Sequence, residues 1–364
     1  MRSTQAYQSS IRKRKRRRIF ACISFLFGLL FAVFLAEAGM RVYVASRGWT
    51  GNCYATGDAF FVPHPTAGYT LRPGLRIKSS TYDVTVNSVG FRGPELNVLS
   101  QDASEQAKRC VVLGGSSVFG YLVADRLDSC ALTTDLLVGS GVEMEVINAG
   151  VPGYTMEQCR LRFEADIAAL YPDYVVVYLG WNDIPFLIND SPQDLDSVAA
   201  PPPIWKRLLS HSPLYGLVAY RLFPASSPVF APPAERAVAV SDAGGILFES
   251  RLLGLLESIR DSGAEPILCT QVMAGGPECE GLDAFLGSEP EQVLANRSVA
   301  RWITSTIRRV AQERSIVLVD CAADVPCNSE NLGDAIHLTE LGHQEVAEAW
   351  ADTLVELATD STSR

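Results

Sequence analysis

Five short apolar runs constrain this 364-residue chain more than any other feature. They are RCVVLGG (Arg109–Gly115), EMEVINAG (Glu143–Gly150), YVVVYLG (Tyr174–Gly180), PILCTQ (Pro266–Gln271) and IVLVD (Ile316–Asp320). Each is too short for a buried helix and ends in glycine or a polar residue, the pattern of strands covered on both faces. Helical periodicity fills the gaps. Met156, Cys159, Phe163, Ile167 and Leu170 recur at three- and four-residue steps, and Gln292–Arg314 and Leu341–Leu357 show the same spacing. Strands alternating with helices through right-handed crossovers predict an α/β fold: a three-layer α/β/α, doubly wound (flavodoxin-like) parallel sheet of about five strands. In such a sheet the functional site is expected outside the carboxyl ends of the strands.

The formal net charge of −10 conceals two opposite parts. The first 18 residues hold eight of the 31 Lys+Arg (Arg2 and Arg12 to Arg18) and no acid, so 23 bases face 41 acids in the remainder, a net of −18. Directly after Arg18 comes IFACISFLFGLLFAVFLA (Ile19–Ala36), free of charge. As a helix it spans about 27 Å, enough for a bilayer's hydrocarbon core. Bases abutting an apolar segment act as a topology determinant, which argues against a nucleic-acid patch and keeps that end in the cytoplasm. Ala36-Glu37-Ala38 resembles a cleavage site, but the run is longer than the roughly 7–15 residues of a signal peptide's core, which favours an uncleaved anchor. The rest of the chain is then periplasmic or otherwise extracytoplasmic.

These features divide the chain into a basic cytoplasmic tail (1–18), a transmembrane signal-anchor helix (19–40), a β-rich membrane-proximal segment (41–107), a main domain (108–358) and a short tail (359–364). The strand–helix rhythm breaks once, over 184–245, where proline-rich stretches predict an insertion that forms a lid or binding wall, or a surface excursion.

Four motifs fall at strand ends. GGSSVFG (Gly114–Gly120) sets a serine on a glycine-flanked strand-to-helix turn, exposing its hydroxyl beside its own N–H. NAGVPGYT (Asn148–Thr155) can present a backbone N–H or merely shape a turn. LGWND (Leu179–Asp183) puts Asn182 where an amide can donate to a developing oxyanion, or cap the next segment. DAIHLTELGH (Asp334–His343) spaces Asp334 and His337 so that the carboxylate can hold one imidazole nitrogen while the other faces a nucleophile. His343 falls inside the following helix and reads as structural. Asp183, Asp334 and His337 lack any metal-site spacing.

In order and spacing, these four motifs resemble the blocks of the SGNH (GDSL-type) serine hydrolase superfamily over about Lys108–Leu357. The resemblance implies Ser116 as nucleophile, His337 as general base and Asp334 as its orienting carboxylate. It implies an oxyanion hole of the Ser116 and Gly153 backbone N–H groups and the Asn182 amide, with no cofactor and no metal. The chain departs from the namesake motif by Gly115 and Ser117 on either side of the serine, which leaves Ser117 as a rival nucleophile. VNSVGFRGPE (Val86–Glu95) also resembles a segment preceding this domain in membrane-anchored relatives.

Nine cysteines include Cys22 in the apolar segment and eight outside it. Cys130 and Cys159 lie on apolar helix faces as core thiols. Cys269, Cys279, Cys321 and Cys327 follow the fourth and fifth strands, so one or two disulfides are expected to brace the loop carrying Asp334 and His337. The expectation is a membrane-anchored serine esterase acting on O-acyl esters of carbohydrate or lipid through an acyl-enzyme. Its rivals are an O-acyltransferase to a cell-envelope sugar and a non-catalytic binding protein. The acidic body disfavours nucleic acid as a partner, and nothing in the chain sets its oligomeric state.

Overall fold

A computed structural model describes residues 2–49, 60–78, 83–96, 108–189, 204–209, 211–222, 240–275, 279, 282 and 290–362. Helix α1 runs Arg2–Ser46, and from Lys15 it is long and apolar enough to cross a membrane, with none of its apolar window buried in the protein. Two antiparallel hairpins come next: β1 (Phe61–His64) with β2 (Gly68–Leu71), and β3 (Arg76–Lys78) with β4 (Asp83–Thr85). Their inward residues Tyr69, Leu71, Ile77 and Val84 share one hydrophobic core with the main sheet. His64 is buried in this hairpin. Its Nε2 faces Asp166 at 2.9 Å, and its Nδ1 accepts the Ala67 N–H.

The sheet comprises β5 (Lys108–Gly114), β6 (Met144–Asn148), β7 (Tyr174–Tyr178), β8 (Glu265–Cys269) and β9 (Val317–Val319). All pairs are parallel, in the order β6-β5-β7-β8-β9, the doubly wound arrangement expected. Every residue of central β7, Tyr-Val-Val-Val-Tyr, is buried, as helices on both faces require. Gly114 pairs with Tyr178, and Tyr178 with Cys269, so the strands carrying the motifs end level.

The helices are α2 (Ser116–Phe119), α3 (Ser129–Gly139), α4 (Met156–Arg162), α5 (Ile184–Asn189), α6 (Ile204–Leu209), α7 (Pro213–Leu222), α8 (Asp242–Asp261), α9 (Pro290–Arg314), α10 (Cys321–Asp324) and α11 (Glu340–Thr362). Thr155 and Gln158 form a reciprocal capping box at the start of α4, satisfying donors that the helix leaves orphaned. The helix expected over Met156–Leu170 is not uniform: after Arg162 it widens into a π-turn over Phe163–Ile167 and ends as a 3-10 turn. Four-residue apolar steps overrun a 3.6-residue period, and the wider turn keeps Phe163 and Ile167 both buried.

The stretch 184–245 showed little periodicity, yet its described parts contain α5, α6, α7 and the start of α8. α5 to α7 are shorter than the window that periodicity needs. Local signals do mark α7: Ser212 Oγ accepts the Tyr215 N–H at 3.0 Å as a cap, and Pro213 opens the helix where no N–H is required.

Candidate active site

Ser116 is the first residue of α2, directly beyond β5, where a backbone N–H has no acceptor within its own helix. A glycine before it is a packing requirement, since a Cβ at Gly115 would lie 2.5 Å from Asn182 Nδ2. That same closeness sets the Asn182 amide against the serine turn. Asn182 sits in the 3-10 turn Trp181–Asp183 after β7, and its Nδ2 donates to the Tyr154 carbonyl at 2.9 Å. Gly153, buried and at φ +85°, belongs to the loop after β6.

On the opposite rim, Asp334 folds its own loop. Its Oδ1 accepts the N–H groups of Ile336 (2.9 Å) and His337 (2.8 Å), leaving Oδ2 to meet His337 Nδ1 at 2.7 Å. A carboxylate can only accept from that nitrogen, so Nδ1 carries the proton and Nε2 is the acceptor. Nε2 lies 2.8 Å from Ser116 Oγ, which therefore donates to it. Burial pushes the Asp334 carboxyl up. The hydrogen bond and charge of His337, with the two backbone N–H groups, outweigh that and hold it below the usual carboxylate range. An ionised Asp334, the His337 imidazole and a hydroxyl stand in line. This arrangement lets imidazole take a proton as the oxygen attacks.

Ser117 is placed differently. It is only 2% exposed, its Oγ donates to the Ile336 carbonyl at 2.9 Å, and Gln271 Nε2 donates to it at 3.4 Å. It ties the serine turn to the histidine loop rather than facing the cleft. Asp183, beside Asn182, points inward and accepts the Met156 N–H at 3.0 Å, capping α4. Burial pushes its carboxyl up to about 7, despite that hydrogen bond and the charge of Arg251. His343 is buried in α11, where its Nδ1 accepts the Ser129 N–H at 3.1 Å.

Several supporting residues have no counterpart among the sequence motifs' candidates. Arg92, in the Val86–Glu95 segment, has a fully buried side chain. It donates through Nη1 to the Phe119 and Gly120 carbonyls (2.6 Å to the latter) and through Nη2 to Val123 at 2.8 Å. The Phe119 and Gly120 carbonyls end α2 and that of Val123 follows in the next turn, so Arg92 fixes the end of the serine helix. Arg162 binds the Ala149 and Gly90 carbonyls at 3.0 and 2.9 Å. Tyr69 donates to the Pro152 carbonyl at 2.8 Å, and Gln158 to that of Ala67 at 2.9 Å, bracing the Gly153 loop from the first hairpin. Tyr121 lies partly exposed beside the site, its ring centroid 4.7 Å from that of His337. The VNSVGFRGPE motif was the only signal for Arg92, and nothing local indicated its partners.

Cys279 and Cys327 form a disulfide near this loop, while Cys269 and Cys321 remain thiols with sulfurs 3.3 Å apart. Cys110, Cys130 and Cys159 are buried thiols, and burial pushes Cys110 up to about 12.

The profile of the GDSL-like lipase/acylhydrolase family matches residues 112–345. A 50-residue stretch is 36% identical to the uncharacterized lipoprotein YqeF of Bacillus subtilis (strain 168), 14% of this chain and 21% of that protein. The chain thus matches about a fifth of that curated relative's length. Similar solved structures include a catalytic mutant of an acetylxylan esterase from Geobacillus stearothermophilus, 17% identical with a TM-score of 0.41, covering 67% of this chain and 92% of that one. A GDSL-like lipase from Bacteroides thetaiotaomicron VPI-5482 is 14% identical with a TM-score of 0.41, covering 72% and 93%.

Proposed function

The chain belongs to the GDSL-like lipase/acylhydrolase family, and we propose that it is a membrane-anchored serine esterase whose nucleophile is Ser116. The observation that carries this reading is the unbroken line from Ser116 Oγ through His337 to Asp334, with contacts of 2.8 and 2.7 Å. In the proposed reaction His337 takes the Ser116 proton while Oγ attacks the ester carbonyl. The ionised Asp334 steadies the imidazolium that forms. The oxyanion is met by the Ser116 and Gly153 N–H groups and the second Asn182 amide proton. Collapse expels the alcohol, protonated by His337, and leaves an acyl-enzyme. Water then enters, His337 takes its proton, and the acid departs with Ser116 regenerated.

The substrates we propose are neutral O-acyl esters of envelope carbohydrate or lipid. α1 would span the bilayer with the basic tail in the cytoplasm and the catalytic body outside, as the positive-inside rule directs.

The test uses the full chain in detergent, a fluorophosphonate probe and a short-chain aryl ester, with and without a polysaccharide acceptor. Wild type and Ser117→Ala are expected to label and hydrolyse. Ser116→Ala is expected to lose labelling and about a thousand-fold or more in kcat. Unlabelled wild type would overturn the reading, and release that requires acceptor would reassign it to acyl transfer.

A further inference from the structure

One short helix exposes large apolar side chains in a row. On α6, Ile204, Trp205, Leu208 and Leu209 are 68%, 55%, 70% and 42% exposed. At 100° per residue these four positions cover an arc of about 140°, with Lys206 opposite. The Lys206 ammonium lies 5.9 Å from the Trp205 ring centroid. The helix, Ile-Trp-Lys-Arg-Leu-Leu, carries two bases and no acid. On α7, Val218 and Leu222, one turn apart, are exposed as well.

The position of this pair of helices identifies what meets that face. α7 is fastened to α1. The Ser212 hydroxyl donates to Glu37 at 2.6 Å, and the Leu214 N–H donates to the same carboxylate at 3.2 Å. Arg41 donates to the His211 carbonyl at 3.3 Å and pairs with Glu37 at 2.7 Å. Glu37 is the first residue after the apolar run Ile19–Ala36. Leu209 is three residues from Ser212, a reach of about 10 Å. The Leu209 end of α6 is therefore tethered within about 10 Å of the contact that Ser212 makes with Glu37, beside the end of the apolar run.

We propose that α6 lies in the interfacial layer of the leaflet from which α1 emerges, with Ile204, Trp205, Leu208 and Leu209 in lipid and Lys206 toward anionic headgroups. A basic amphipathic helix with tryptophan at its boundary is what that layer accepts. A single tether would let the body rotate about α1. A second contact sets which way the cleft faces. This inference rests on the reading of α1 as a membrane span.

The full chain, reconstituted into vesicles of phosphatidylcholine and phosphatidylglycerol, provides the test. Trp205 emission is isolated as the difference between wild type and Trp205→Phe, in vesicles with and without brominated phosphatidylcholine. Most of that difference emission is expected to be quenched by brominated lipid and shielded from iodide in the buffer, and Ile204→Asp with Leu208→Asp is expected to reverse both. Alkaline extraction of the same vesicles reports on α1 separately. A chain that resists extraction but whose Trp205 ignores brominated lipid overturns the α6 contact and leaves the anchor intact. Shielding from both quenchers means that protein covers the face, which also overturns it. Release by alkali removes the anchor and the inference together.

Discussion

At the scale of single residues, two adjacent serines have opposite fates. Ser116 faces an imidazole acceptor at 2.8 Å, whereas the Ser117 hydroxyl is spent on the Ile336 carbonyl at 2.9 Å. A one-residue step along α2 turns a side chain by about 100°, enough to separate cleft from core. Asn182 has a comparable economy. One amide proton goes to the Tyr154 carbonyl, which fixes the rotamer and leaves the other for a ligand. Asn182→Ala is therefore expected to lower kcat by about 100- to 1000-fold while KM changes little, since the lost donor acts on charge that develops in the transition state. Steady-state hydrolysis of an aryl ester measures this, and a kcat within a few-fold of wild type would exclude the amide from the oxyanion site.

At the scale of elements, the cleft depends on segments far from it in sequence. The segment around Arg92 holds the end of α2 and the turn after it by three carbonyls, and the first hairpin holds the loop of Gly153 through Tyr69 and Pro152. The packing of α11 against α3 has its own pin. The His343 Nδ1 accepts from the Ser129 N–H and lies 2.8 Å from the Ser129 hydroxyl. Burial, helped by the charges of Arg92 and His337, lowers the His343 pKa from 6.5 to about 3. The unfolded chain therefore takes up a proton between those values that the folded chain refuses. Stability falls as pH drops through that window and levels off below it. Removing the group with His343→Gln is expected to flatten the slope between pH 6.5 and 3 by up to about 1.4 kcal/mol per pH unit. Denaturant melts across that range measure the slope, and an unchanged slope would refute the assignment.

At the scale of the whole molecule, charge is divided by position. Eight bases and no acid precede the apolar run, and the remainder sums to −18. A body of that sign repels anionic substrates through solvent, and salt screens the repulsion over a Debye length of about 10 Å at 0.1 M. For two aryl esters differing only by a remote carboxylate, the ratio of kcat/KM favouring the neutral one is expected to shrink as salt rises. A salt-independent ratio would mean that local contacts, not the body's field, make the choice.

The doubly wound sheet was legible because each strand is predominantly apolar over a few consecutive residues, a property that needs no partner to be read. Ser116, Gly153, Asn182, Asp334 and His337 were legible as candidates because each belongs to a short motif between a strand and the start of a following helix. The helices within 184–222 were not, being too short to show a period. Arg92 was hidden for another reason. A buried guanidinium is explained only by the carbonyls that receive it, and those lie 27 to 31 residues away. Local patterning by itself determined the layered sheet, its strand ends and the basic, apolar start of the chain, since burial and helix geometry act over a few neighbours. Only the tertiary structure decided which serine meets His337, that Arg92 and Tyr69 support the cleft, and that α7 fastens to α1 beside the exposed face of α6. Those outcomes depend on hydrogen bonds between segments whose separation along the chain carries no information about their separation in space.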